Sequence, residues 1–145
     1  MSVKLPIYKV KLVRDHVASF PSGIVEEPKA TAEFFYRLIG TTDREHLAAL
    51  FVSMGRPTGA SIIGVGTLNR VGFHMRETFK AAVLAGAESI ILAHNHPSGI
   101  AEPSLQDQAL THSLAESLAL VDVKVLDHFI VAPGAFLSFA ERGLL

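Results

Sequence analysis

The sequence predicts a mixed α/β fold in one domain, and three observations predict it. Strand-type and helix-type apolar patterns follow one another along the chain. Strand–helix–strand steps imply some parallel pairing, while short Gly/Pro loops between apolar runs imply antiparallel hairpins. The 145 residues, 49% hydrophobic against 19% charged, suffice for a core without disulfide or structural metal.

Residues 8–13, Tyr-Lys-Val-Lys-Leu-Val, alternate polar and apolar and read as a half-buried strand. With the loop around Phe20-Pro21-Ser22-Gly23, residues 1–27 form an N-terminal strand and loop of the same domain. Pro28 opens a helix with Ala32, Phe35, Leu38 and Ile39 on one face, stopped by Gly40. The apolar run at 47–52, the turn Gly55-Arg56-Pro57-Thr58-Gly59 and a second run at 60–68 make a hairpin. From 76 to 84 the spacing is helical, with Phe79, Ala82 and Val83 on one side and Gly86 as the stop. Ser89-Ile90-Ile91-Leu92-Ala93 reads as a central strand. A loop at 94–103 leads into the longest helical pattern, 104–120, with a stripe of Leu105, Ala109, Leu114, Leu118 and Val121. Residues 123–131 give a strand, Pro133-Gly134 a turn and 136–139 a last short strand. The total is about six strands and about three helices.

Composition excludes several classes. With no Cys, there is no disulfide, no thiolate metal site and no cysteine nucleophile. The opening Met-Ser-Val-Lys-Leu-Pro-Ile-Tyr-Lys-Val holds no signal-type apolar run, and later apolar stretches are too short to span a bilayer. The expectation is therefore a cytoplasmic protein with no membrane partner. A net charge of −1 argues against holding nucleic acid by bulk charge.

The chemistry is concentrated in His94-Asn95-His96-Pro97-Ser98-Gly99 and Pro103-Ser104-Leu105-Gln106-Asp107. Residues i and i+2 of a strand share a face, so both imidazoles reach one point at the strand's carboxyl end, the rim where α/β sheets tend to place ligands. Asp107, in the first turn of the next helix, can return to that point. Two imidazoles and a carboxylate suit Zn²⁺, and three protein ligands leave a position for water, as in catalytic sites. Ser104-x-x-Asp107 also fits a capping box, a role that does not exclude ligation. The literal triplet His94-Asn95-His96 spells the name of a nuclease class, but those nucleases spread the three residues along a hairpin and helix.

The spacing His94-x-His96-Pro97, six residues, then Ser104-x-x-Asp107 resembles the metal motif of the JAMM (MPN or JAB) metalloproteases. The wider text is similar to the bacterial RadC-like JAB branch over roughly residues 28–145: Gly66-Thr67-Leu68-Asn69, Arg76-Glu77-x-Phe79-Lys80, Ile91 through Gly99, Asp127-His128-x-Ile130-Val131 and Ser138-Phe139-x-Glu141-x-Gly143. The resemblance implies a Zn²⁺ ion on His94, His96 and Asp107, oxyanion stabilisation by Ser104, and a catalytic Glu at the start of the strand after the first helix. Glu45 stands there, and Glu77 is the alternative. Ile100, Met75 and Val52-Ser53-Met54 depart from the branch's pattern, which bears on the substrate surface rather than on the metal. Many longer members carry an N-terminal helix–hairpin–helix module, whereas here 27 residues precede Pro28. Of the other histidines, His16, His46 and His112 read as surface or edge residues. His74 and His128 read as hydrogen-bonded supports, with Asp127-His128 as an orienting pair.

The expected function is a zinc-dependent hydrolase cutting an amide, a peptidase or isopeptidase with a protein or peptide substrate. The alternatives are a non-enzymatic partner-binding module and a DNA-repair or mobile-element accessory. Exposed edge strands would permit a homodimer or strand addition by a peptide.

Overall fold

The computed structural model describes residues 1–21, 23–66 and 71–145. Its elements are α1 (Pro28–Phe35), a π-helical turn (Tyr36–Gly40), β1 (His46–Ser53), β2 (Arg56–Val65), α2 (Val71–Leu84), β3 (Ser89–Asn95), α3 (Leu105–Ala119), β4 (Lys124–Ala132) and β5 (Ala135–Ser138). The sheet order is β2-β1-β3-β4-β5, with β3 and β4 parallel and the other pairs antiparallel.

β1 and β3 are buried on both faces, hence their unbroken apolar runs. Leu47, Ala49, Phe51, Ile90 and Leu92 pack against Ala82 of α2 and Leu110, Leu114 and Leu118 of α3. On the opposite face, Ala48, Leu50, Val52, Ile91, Ala93, Phe129 and Val131 pack against Ala32, Phe34 and Phe35 of α1, and Ile39. The sheet is thus sandwiched between helices.

Four details differ from the sequence reading. Residues 8–13 form no strand: Tyr8, Val10 and Leu12 are 81%, 71% and 54% exposed, so the described sheet has five strands. Alternation marks a chain able to half-bury itself, but a strand also needs a paired neighbour, and residues 8–13 join neither edge strand, β2 nor β5. The hairpin turn is Met54-Gly55, at φ 50° and 71°, with Ser53 opposite Arg56. Pro57 lies inside edge strand β2, where a missing N–H is tolerated. α2 begins five residues earlier than the periodicity suggested, because Val71 and Gly72 are poor helix formers and hid its first turn. The buried stripe of α3 is Asp107, Leu110, Thr111, Leu114 and Leu118, while Leu105 and Ala109 face solvent. The expected strand end at Leu68 and the family-like Thr67-Leu68-Asn69 lie outside the described residues. Among the described residues, no helix is long and apolar enough to cross a membrane.

Candidate metal centre

Sheet register brings the site together. In the antiparallel β1–β3 pair Leu47 faces His94, so the start of β1, with Glu45 just before it, lies beside the end of β3. In the parallel β3–β4 pair Leu92 faces His128 and His94 faces Ile130. The His96 N–H donates to the Val131 carbonyl at 2.9 Å, extending that ladder one residue before Pro97 ends it. Gly99, at φ 87°, closes the turn by donating to the His96 carbonyl at 3.1 Å. That left-handed conformation favours glycine.

His94 lies on the α3 face and is fully buried. Asp107 is placed by the cap of α3. Its N–H donates to Ser104 Oγ at 3.0 Å, and its Oδ2 accepts from the Ser104 N–H at 2.7 Å. His94 Nε2 lies 3.4 Å from Asp107 Oδ1, His96 Nε2 lies 3.5 Å from Asp107 Oδ2, and the two Nε2 atoms are 2.9 Å apart. His94, His96 and Asp107 form a group that could hold a metal ion.

The hydrogen bonds fix the tautomers. Thr111 Oγ1–H donates to the Asp107 carbonyl at 2.7 Å, so the same oxygen accepts from His128 Nδ1–H at 2.6 Å. His128 Nε2 therefore carries a lone pair and accepts from His94 Nδ1–H at 2.8 Å. His96 Nδ1–H donates to the Ile100 carbonyl at 2.8 Å. When the rings are neutral, both Nε2 atoms thus present lone pairs to a carboxylate. A proton or a metal ion could fill the place where they converge. Tetrahedral ligands at zinc distances lie about 3.3 Å apart, close to the separations here.

Without a metal, a proton on either ring takes that place and bonds to Asp107. Burial pushes the Asp107 carboxyl up, but the bonds to His94 and His96 outweigh it and hold the group well below the usual carboxylate range. His96 is raised, chiefly by its bond to Asp107, against the lowering by burial. The Ile100 carbonyl and the charges of Asp107 and Glu45 add to the rise. His128 is pushed down by burial and then by the charge on His94, so it stays neutral.

The structure brings together His94, His96 and Asp107, with Ser104 as the cap of the helix that carries Asp107. Glu45 is half-buried, outside the cluster, and its charge is felt at His96. Glu77 instead pairs with Lys80 on α2, at 3.1 Å. His16 and His112 are exposed, His46 is half-buried and His74 is buried. His128 supports His94, as the sequence suggested; Asp127 Oδ1 accepts the His128 backbone N–H at 2.7 Å, while the ring itself is held by His94 and Thr111. The Asp127 carboxylate also accepts from Ser138 Oγ–H and the Ala140 N–H, tying β4 to the end of β5 and the chain just beyond it. Sequence reasoning missed Thr111, whose only signal is its place four residues after Asp107, one helical turn along.

A family profile described as RadC-like JAB domain matches residues 25–144. The chain is 46% identical over 123 residues to a UPF0758 protein of Methylibium petroleiphilum, covering 84% of this chain and 55% of that one. It is 44% identical over the same length to a UPF0758 protein of Leptothrix cholodnii, with the same coverage. Over 81 residues it is 64% identical to a UPF0758 protein of Dechloromonas aromatica, 55% of this chain and 36% of that one. The chain spans about half the length of the curated relatives it matches over most of its own length. With the profile covering residues 25–144, a span that includes the His–His–Asp cluster, the protein belongs to the RadC-like JAB domain family.

Proposed function

We propose that this chain is a zinc-dependent metallohydrolase that cuts amide bonds, a peptidase or isopeptidase acting on a protein or peptide. The observation that carries this reading is the meeting of three lone-pair ligands, with a further carboxylate, Glu45, close by but outside the cluster. His94 and His96, each through Nε2, and Asp107 through a carboxylate oxygen would hold the ion. Bound there, Zn²⁺ polarises a carbonyl and lowers the pKa of water toward ~7.

The chain's own residues do the rest. Glu45 accepts a proton from the attacking water as the water oxygen bonds to the carbonyl carbon. It passes that proton to the amine nitrogen as the C–N bond breaks. Ser104 Oγ already accepts from the Asp107 N–H, so its hydroxyl hydrogen remains for donation to the developing oxyanion. His128 and Thr111 hold His94 in the ligating tautomer.

The test is cleavage of peptide and isopeptide libraries by the zinc-loaded chain. Cleavage should vanish with chelator and return with zinc. Cleavage indifferent to chelator, or a zinc-loaded chain that cuts no amide, would contradict the reading.

A further inference from the structure

We propose that Asn95, the residue between the two histidines, is the positioning residue for Glu45; this rests on the metallohydrolase reading above. His94 and His96 share a direction along β3, whereas Asn95 is out of phase with them and reaches the loop before β1. Its side chain is fully buried, and both ends of the carboxamide are used. Oδ1 accepts from the His46 N–H at 2.6 Å. Nδ2 donates to the Arg44 carbonyl at 2.9 Å and to Thr42 Oγ1 at 3.1 Å.

The Arg44 carbonyl and the His46 N–H belong to the two peptide groups on either side of the Glu45 Cα. A single carboxamide therefore holds both planes that set the φ and ψ of Glu45, and so the direction of its side chain. The Glu45 carbonyl is held in turn by the Gly66 N–H at 2.8 Å. The amide orientation is determined by its partners. A flip would set oxygen against the Arg44 carbonyl and nitrogen against the His46 N–H.

Asp43 and Arg44 are exposed, so hydrogen bonds rather than packing hold this loop; Thr42 Oγ1 and His46 Nδ1 also lie 2.9 and 3.0 Å from the Arg44 carbonyl, but the carboxamide spans both peptide planes. Because Asn95 stands between the metal-site histidines, base and ligands are referenced to the same strand. A general base must lie within hydrogen-bond reach of its proton, and small misplacements cost rate heavily. The middle letter of the triplet thus has a use unrelated to the nuclease class it spells.

Cobalt(II) loaded on the full chain is the probe. The pH midpoint of its visible spectrum reports ionisation at the solvent position on the ion. The Glu45 charge opposes that ionisation, so Glu45→Gln should lower the midpoint by about 1 pH unit. Asn95→Leu, near in size, should lower it in the same direction at unchanged cobalt content, and the double variant should match Glu45→Gln alone. A wild-type midpoint in Asn95→Leu, or shifts that add in the double variant, would overturn the proposal. Asn95→Ala is the second variant; loss of cooperative melting in both would overturn it in favour of a role in folding. A wild type that takes up no cobalt removes the metal reading, and this inference with it, before any variant is compared.

Discussion

His128 Nε2 lies 2.8 Å from His94 Nδ1, and neither ring reaches solvent. The two rings meet edge to face, while His128 stacks on Phe139 at 4.9 Å. The chain of bonds from the Asp107 carbonyl through Thr111 and His128 to His94 has only one polarity, because its first acceptor is a carbonyl. Helix α3 thus contributes twice. The Asp107 side chain faces the cluster, and its backbone sets the tautomer of a histidine on β3.

Replacing His128 tests that relay. His128→Phe keeps an aromatic ring against Phe139 and removes the acceptor. Zinc affinity should fall by about 10–100-fold, the usual cost of losing such a partner. Competition titration against a chromophoric chelator measures it, and wild-type affinity in the variant would show that the relay does not orient His94.

Stability of the metal-free chain should depend on pH through His128. Burial first, then the charge on His94, puts its folded pKa well below the ordinary value of 6.5. Below 6.5 the unfolded chain takes up a proton that the folded chain refuses. The His128 contribution is therefore present above 6.5 and lost as pH falls, at up to about 1.4 kcal/mol per pH unit. His96 works the other way. Its raised pKa stabilises the metal-free fold at low pH, and that contribution is lost as pH rises through the raised value. Denaturant melts in chelator between pH 5 and 8 should show wild type losing more stability than His128→Phe on acidification. Parallel curves would contradict this.

Glu45→Gln should leave zinc content unchanged, since Glu45 lies outside the ligand group, and cut amide hydrolysis by ~10²–10⁴-fold. The paired variant Glu77→Gln should be near neutral, because Glu77 pairs with Lys80 on α2. Reversed results would move the base to Glu77.

Chelation should leave the fold standing. The main apolar clusters on the two sheet faces do not include the ligands, and the ligands sit at the sheet's rim. Zinc should raise the melting temperature by mass action. A chain whose cooperative transition vanished in chelator would have a structural metal.

The parts legible in the sequence were those written in short-range spacing. His94, His96, Ser104 and Asp107 lie within fourteen positions, and a strand period plus a helix cap is enough to bring them together. The central strands were equally plain, because burial on both faces leaves long apolar runs. What stayed hidden depends on contacts between distant segments. Asn95 meets Thr42 and Arg44 only through β1–β3 register. Asp127, adjacent to His128 in sequence, points to Ser138 instead, because neighbours in a strand face opposite ways. Residues 8–13 have the period of a strand but no partner among the described residues, and period alone cannot supply one.

The proposed function requires His94, His96 and Asp107 to hold one metal ion per chain. Elemental analysis of zinc-reconstituted wild type and His94→Ala/His96→Ala, after gel filtration at neutral pH, tests it most directly. The wild type should retain about one zinc per chain and the double variant none, with both folded. Equal zinc in the two would contradict it.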